Sequence, residues 1–295
     1  MGVALPIVEN LITGLIMGSF YALMAVGLTL IFGVMRIVNF AHGEFYMLGG
    51  YILYYLVTLL GINNFVALPI VMGAMFVFGM AVERSLLRPI ITEGLGHEYS
   101  IIITFGISLF LVNFAIAFFG PEYKTPPPYI PTYRVALGPI SISGDRLLVA
   151  TLAAVILVLT YLVIAKTKIG LAMRATAQNK EGAMLCGMDV YKVSMFTMGL
   201  ASALAGASGA LLSTILLLEP QAGLIPAIKS YVVIALGGMG SIAGAVVGSV
   251  ILGIIESLGT VLISAAYRDA YSFLVLILVL LIRPEGLFGI RVREV

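Results

Sequence analysis

This sequence predicts an all-α polytopic membrane protein of about nine transmembrane helices (eight to ten), some of them broken at glycines. Three observations lead there. Of 295 residues, 61% are hydrophobic and 10% charged, with a mean hydropathy of +1.14. Soluble domains hold about 45–50% apolar and about 25% charged residues, so lipid must be the solvent for most of this surface. The apolar residues also fall in runs close to the ~20 that a helix needs to cross a bilayer, and the basic residues gather in alternate connections.

The clearest runs are Asn10–Phe32, Ala41–Leu60, Phe65–Val82, Tyr99–Phe119, Leu147–Ala165 and Val193–Leu218. Before the first, "MGVALPIVENLITG" carries neither a basic n-region nor a small-residue cleavage site, so that run is expected to stay as a spanning helix. Ser230–Tyr267 carries one charge, Glu256, and is too long for one crossing. Gly237, Gly238, Gly240 and Gly244 interrupt it, which predicts two short crossings or a broken pair. Tyr271–Ile282 is short and is expected to begin earlier, with Arg268 and Asp269 reaching the interface.

Charge then assigns the sides. Segment 166–192 carries Lys166, Lys168, Arg174, Lys180 and Lys192; the final segment carries Arg283, Arg291 and Arg293; an 83–90 turn carries Arg84 and Arg88. With Arg36, one face receives eleven of the sixteen basic residues. The other receives Lys124, Arg134, Arg146, Lys229 and Arg268. The richer face should be cytoplasmic, which puts the N-terminus outside and the C-terminus inside.

Two connections stand out. Segment 120–146 is external and holds Pro121, Pro126, Pro127, Pro128, Pro131 and Pro139, a composition that favours extended, semi-rigid chain. Its "YRVALGPISIS" stretch can close as a hairpin about Gly138 and Pro139. It reads as a stiff connector or as a docking surface for an extracytoplasmic partner. Segment 166–192 is the most polar of the chain, and Ala172–Leu185 is rich in helix formers, with Gly187 and Asp189 suited to a stop. It reads as a solvated basic loop or as a contact helix seated in a cytoplasmic partner.

Several chemistries are excluded. A phosphate-binding G-x-x-x-x-G-K-[ST] loop needs a lysine after glycine, and none of the six lysines follows one. G-x-S-x-G and H-E-x-x-H are absent, and His42 and Glu44 at i, i+2 do not share a helix face, so neither an enzyme nor a metal site is expected. A net charge of +2 is too small to point to nucleic acid. Cys186 stands alone, which rules out an internal disulfide, and is expected to be a small buried filler.

Four stretches resemble the branched-chain amino-acid ABC importer permeases of the LivH type: "GLIMGSFYALMAVGLTLIFGVMRIVNFAHGEFYMLGGYI", "RATAQNKEGAMLCGMDVYKV", "IALGGMGSIAGAVVGSVILGIIESL" and "RPEGLFG". The resemblance spans nearly the whole chain, and N-F-A-H-G-E is its most specific part. It implies a permease half of a type II-like importer in a prokaryotic plasma (inner) membrane, taking up branched-chain or related neutral amino acids. The implied partners are a second homologous permease subunit or a copy of this chain, two cytoplasmic ABC ATPases and an extracytoplasmic amino-acid-binding protein. ATP and Mg would sit on the ATPases, with no cofactor on this chain. The 166–192 segment then resembles the coupling loop, with Arg174, Ala175, Gln178, Asn179, Glu181, Ala183 and Gly187 as contact positions. The family's E-A-A followed four residues on by glycine becomes Glu181, Gly182, Ala183 and then Gly187, a departure at the second position. Urea, amides or other amino acids stay open as cargo. An ion-coupled secondary transporter is the rival from another class, weakened because only Glu44 and Glu256 are membrane-embedded carboxylates.

Residues 36–51, "RIVNFAHGEFYMLGGY", concentrate polar groups between apolar runs, where an ionised side chain costs roughly 2.5–3.5 kcal/mol at a helix centre. On one reading this segment and the second glycine interruption, Gly237 to Gly244, come together along a substrate path. Asn39, His42 and Ser241 would then offer hydrogen bonds to a zwitterion, with Gly43 and its neighbours breaking the helix. On the other, Arg36, Asn39, His42 and Glu44 cap the cytoplasmic end of the second helix and close a salt bridge. Glu256 is expected to pair within the bundle.

Overall fold

The computed structural model describes residues 4–92, 97–130, 133–137 and 140–289. Gly138, Pro131, Pro139, Arg291 and Arg293 lie outside them. The helices are α1 Ala4–Leu30, α2 His42–Thr58, α3 Asn64–Val82, α4 Arg88–Thr92, α5 His97–Phe119, α6 Gly144–Lys166, α7 Lys168–Gln178 and α8 Lys180–Leu185. Then follow α9 Val190–Leu212, α10 Leu224–Gly237, α11 Ile242–Leu262 and α12 Arg268–Ile282. Among the described residues, seven helical stretches are long and apolar enough to cross a membrane: Ile7–Met35, Asn64–Leu87, Glu98–Phe119, Gly144–Lys166, Val190–Leu212, Ile242–Leu262 and Ala265–Ile282. At 17 residues α2 falls just short, and α10 has 14. The molecule is therefore a mostly helical, polytopic membrane protein.

Helices α1 and α9 form the centre: α1 packs against α11, α9 and α10, and α9 against α2, α3 and α1. What lets α9 sit there is its composition, "GLASALAGASGALL", because small side chains let backbones approach closely where water gives no driving force. Gly206 and Gly49 show the constraint: a Cβ built at Gly49 would land on the Gly206 backbone. Around this centre α3, α5, α6 and α12 turn large apolar side chains outward, among them Phe110, Phe118, Leu159 and Leu281, as lipid-facing helices do.

Several expected boundaries moved. The 83–90 turn is helical, a wide π-type turn at Glu83–Leu87 running into α4, with buried Glu83 held by Arg88 at 2.8 Å. The long 230–267 run breaks at 238–241, but α10 begins six residues before Ser230 and carries Lys229 inside it, buried. A lysine was expected to mark the loop; here its charge is neutralised by partners on other helices. The end of the Val193–Leu218 run leaves the helix after Leu212.

Segment 120–146 forms the expected hairpin, β1 Arg134–Leu137 and β2 Ile140–Ser143, antiparallel with Leu137 opposite Ile140. Its proline stretch is stapled to the bundle. Lys124 and Leu218 exchange backbone hydrogen bonds at 2.9 Å, Asn64 Nδ2 donates to the carbonyls of Pro127 and Pro128, and Tyr129 N–H donates to Asp145 Oδ1.

Candidate functional site

Arg36 ends the first helical rod. A π-type turn at Ile31–Met35 leads into it, and its backbone is left-handed at φ 55°, alone among the described non-glycine residues. Such a conformation disfavours any side chain with a Cβ. Asn39 then builds the start of α2. Its Oδ1 accepts the Ala41 N–H at 3.1 Å, and its carbonyl accepts the His42 N–H at 3.3 Å and the Tyr231 hydroxyl at 2.7 Å. Asn39 thus turns the chain into α2 from ahead of it; the N-cap position itself is Ala41, which supplies no side-chain cap. His42 and Glu44 do not cap it either, and the salt bridge expected within the cluster of Arg36, Asn39, His42 and Glu44 is not formed among the described residues.

His42 is fully buried, with Nε2 3.0 Å from the Met24 carbonyl on α1. Because a carbonyl only accepts, Nε2 carries the proton and Nδ1 is the bare nitrogen. The ring fills the space left by Gly27, where a Cβ would lie 3.2 Å from His42 Cε1. Asn39 Nδ2, His42 Nδ1 and Glu44 Oε2 are buried without a hydrogen-bond partner among the described residues. Each such group costs about 1–3 kcal/mol of desolvation.

The second glycine segment folds as a tight reversal between α10 and α11. Gly238 and Gly240 adopt φ 100° and 86°, and Ser241 Oγ caps α11 by accepting the Gly244 N–H at 3.0 Å. Gly237 and Gly244 pack backbone to backbone, where either Cβ would strike the other's carbonyl. "RPEGLFG" seals this end: Leu287 N–H donates to the Leu236 carbonyl at 2.8 Å and Phe288 N–H to that of Gly237 at 3.0 Å.

The two interruptions do meet. A Cβ at Gly33 would lie 3.4 Å from Gly240 Cα, Tyr231 on α10 bonds to Asn39, and Phe40 packs against Tyr231 with ring centroids 5.7 Å apart. Beside this junction lies a cavity of about 810 Å³, bounded by Gly33, Arg36, Gly240, Ser241 and, from α7, Ala177 and Gln178. Of the expected polar residues, Ser241 lines it; Asn39, His42 and Glu44 are packed behind.

Glu256 pairs inside the bundle, as expected, but as a hub. It receives Lys229 Nζ at 2.7 Å, the Tyr21 hydroxyl at 2.9 Å, Arg268 Nε at 3.3 Å and the Ser272 hydroxyl. Lys229 also contacts Asp269 at 3.0 Å. Tyr21, Lys229, Ser272 and Asp269 were missed as partners because they come from three other helices.

Segment 166–192 forms two helices where one was expected. Asn179 divides them, ending α7 and capping α8 by accepting the Gly182 N–H at 2.9 Å. Gly187, left-handed at φ 79°, stops α8, with the Met188 N–H returning to the Ala183 carbonyl at 3.0 Å. Met173 and Thr176 face the bundle while Arg174 reaches back to the Ala165 carbonyl at 3.2 Å. Ala175 is half-buried, Gln178, Asn179 and Glu181 are exposed, and Ala183 is buried, so Ala183 supports the tip from below. The tip is apolar: Leu185 is 89% exposed beside exposed Met184. Cys186 is exposed there too, not the buried filler expected, because it follows the last turn of α8 on its outer side. Asp189 caps α9 by accepting the Lys192 N–H at 3.1 Å and pairs with Lys192 Nζ, and these two contacts hold its carboxyl below the usual range.

Lipid-facing outer helices around a small-residue centre, with a glycine-lined junction and a projecting helix pair, define a multi-pass membrane protein. The family described as "Branched-chain amino acid transport system / permease component" matches residues 10–281. The chain is 33% identical over 95% of both chains to the high-affinity branched-chain amino acid transport system permease protein BraD of Pseudomonas aeruginosa. It is 31% identical, again over 95% of both chains, to the LivH permease protein of Escherichia coli K12. With the probable LivH of Methanocaldococcus jannaschii it shares 30% identity over 94% of this chain and 90% of that one. No solved structure matches. This protein belongs to the branched-chain amino acid transport permease family. It is accordingly a multi-pass inner-membrane transport component and not an enzyme, in a family that implies partnership with ATPases and a binding protein.

Proposed function

We propose that this chain is one permease half of a type II-like ABC importer for branched-chain or related neutral amino acids. It crosses the membrane nine times, with α2 and α10 as the short crossings, its N-terminus outside and its C-terminus in the cytoplasm. A second homologous permease or another copy of this chain completes the path. Two ATPases, which hold the ATP and Mg, grip α7 and α8, and an external binding protein delivers cargo to the side bearing the 120–146 segment. No cofactor is held by this chain. The positive-inside rule supports the orientation, since the connections at 83–92 and 166–192, with Arg36 and Arg283, carry nine of the fourteen described basic residues.

The observation that carries the reading is the α7–α8 pair. Asn179 and Gly187 fix its two bends, α7 is braced on the bundle through Met173 and Thr176, and the apolar tip at Met184 and Leu185 stands free. Because α7 also borders the Gly33–Gly240 junction through Gln178, a push on the tip is delivered to both helix breaks. The native Cys186 supplies the test. A cysteine-reactive cross-linker added to the purified assembly should join this chain to the ATPase through Cys186, and Cys186→Ser should abolish the adduct while leaving uptake intact. Absence of any ATPase adduct contradicts the coupling role. Uptake inhibited by vanadate but not by a protonophore, and competed by leucine, isoleucine and valine more than by urea, supports the transport class and cargo.

A further inference from the structure

We propose that the cavity beneath the two helix breaks is a carboxylate site, in which Arg36 binds the acid group of a small molecule with a branched apolar tail on its cytoplasmic side. This deepens the permease reading and rests on it for which molecules arrive there.

Three features carry the inference. Arg36 is the charged residue on the cavity wall; no carboxylate lines it among the described residues, and Arg36 makes no ion pair with any of them. A planar guanidinium fork without a protein partner matches a carboxylate in two parallel hydrogen bonds. The remaining wall is chiefly apolar, from Phe32, Val38, Ile101, Met239 and Phe288, with Ser100, Gln178 and Ser241 as neutral polar groups. At about 810 Å³ it falls within the range of small-molecule sites. Finally, Arg36 holds a left-handed backbone that glycine would adopt without penalty. Its N–H to the Phe32 carbonyl at 3.0 Å closes the turn through backbone alone, so the turn has no need of the arginine side chain. A strained residue whose side chain the fold does not use points to a use for that side chain elsewhere.

Two sources share this chemistry: the amino acid itself, and the corresponding acid lacking the ammonium group. Equilibrium binding to the purified permease is measured with leucine, 4-methylpentanoate and leucinamide, on wild type, Arg36→Gly and Arg36→Gln. Leucine should bind and leucinamide, without a carboxylate, should not. If 4-methylpentanoate binds as well as leucine, the carboxylate and tail suffice; if leucine binds alone, the ammonium group is read as well, and either result keeps Arg36 as the acid's partner. Loss of the guanidinium should weaken leucine at least about tenfold, the usual scale for a charge-assisted bond. Arg36→Gly should keep or raise the thermal midpoint, because the left-handed strain is relieved; a structural role predicts the reverse. Arg36→Gln repeats the affinity loss without altering the backbone preference for a Cβ. Equal binding of leucinamide, wild-type affinity in either variant, or no binding of either acid overturns the site. ATP-driven uptake by the full assembly is followed in parallel: normal uptake without binding to the permease overturns this site alone, whereas absent wild-type uptake overturns the permease reading.

Discussion

Replacing Glu256 by alanine should be among the most damaging single changes in the bundle. The carboxylate is fully buried and accepts from Lys229, Arg268, Tyr21 and Ser272. Two cations and two carboxylates balance in this cluster, counting Asp269. Without Glu256, Arg268 loses its ion pair and Lys229 keeps only Asp269, whose side chain is 64% exposed. Lys229, 5% exposed, is then left charged in apolar surroundings with a solvent-weakened partner. Breaking a buried pair in this way costs about 3–5 kcal/mol. Lys229→Met should cost less, about 1–3 kcal/mol, because Glu256 keeps Arg268 and two hydroxyl donors. The double change Lys229→Met with Glu256→Leu should come back to within about 1–2 kcal/mol of wild type, since removing both buried charges leaves neither stranded and Arg268, with a side chain 41% exposed, can be solvated. Reversible unfolding in mixed micelles, run as a double-mutant cycle, reads all three. A Glu256→Ala cost under about 1 kcal/mol, or single effects that simply add, refutes the reasoning.

Other consequences follow from the same geometry. Gly187→Ala forces a Cβ onto a left-handed residue and should destabilise the end of α8 by about 1 kcal/mol, seen as faster amide exchange at Met188. Leu185→Asp, at an exposed tip, should leave the thermal midpoint within about 0.5 kcal/mol of wild type while lowering transport-coupled ATP hydrolysis at least about tenfold; unchanged coupling contradicts the docking role. Gly49→Leu drives a side chain into the Gly206 backbone and should abolish recovery of folded protein from detergent extracts. Asp189 has a depressed folded pKa, so its support for α9 is present above the unfolded value of about 3.9 and is lost as pH falls through the folded value. Exchange of the Lys192 amide should accelerate over that acid window, and Asp189→Asn should remove the pH dependence.

Much of this architecture was legible because hydropathy is a local property. The helices α3, α5 and α6 start and stop within a few residues of their apolar runs, since each run must satisfy its own backbone in lipid. The break between α10 and α11 was equally visible, as Gly238 and Gly240 supply the left-handed backbone that a tight reversal needs. What the chain hid was set by distant partners. Lys229 looked like a loop charge because Glu256, which neutralises it, lies on another helix. Asn179 looked like part of one helix, yet its side chain bonds better as a cap than within a helix interior. The cluster at Asn39, His42 and Glu44 was foreseen as polar and unusual, but what Asn39 and His42 would bond to depended on where Tyr231 and Met24 came to lie. Arg36, read from sequence as a cytoplasmic-face charge and a cap, gained its interest from a backbone angle that no sequence pattern announces.

The central claim is that this chain is a passage without its own energy source, worked from the α7–α8 tip by a nucleotide-hydrolysing partner. The direct measurement is leucine accumulation in sealed liposomes containing either the purified chain alone or the chain with its partner permease, ATPases, binding protein and ATP. The account predicts no uphill accumulation by the chain alone and vanadate-sensitive accumulation by the assembly. Concentrative uptake by the chain alone, or uptake that survives vanadate and collapses with a protonophore, contradicts it.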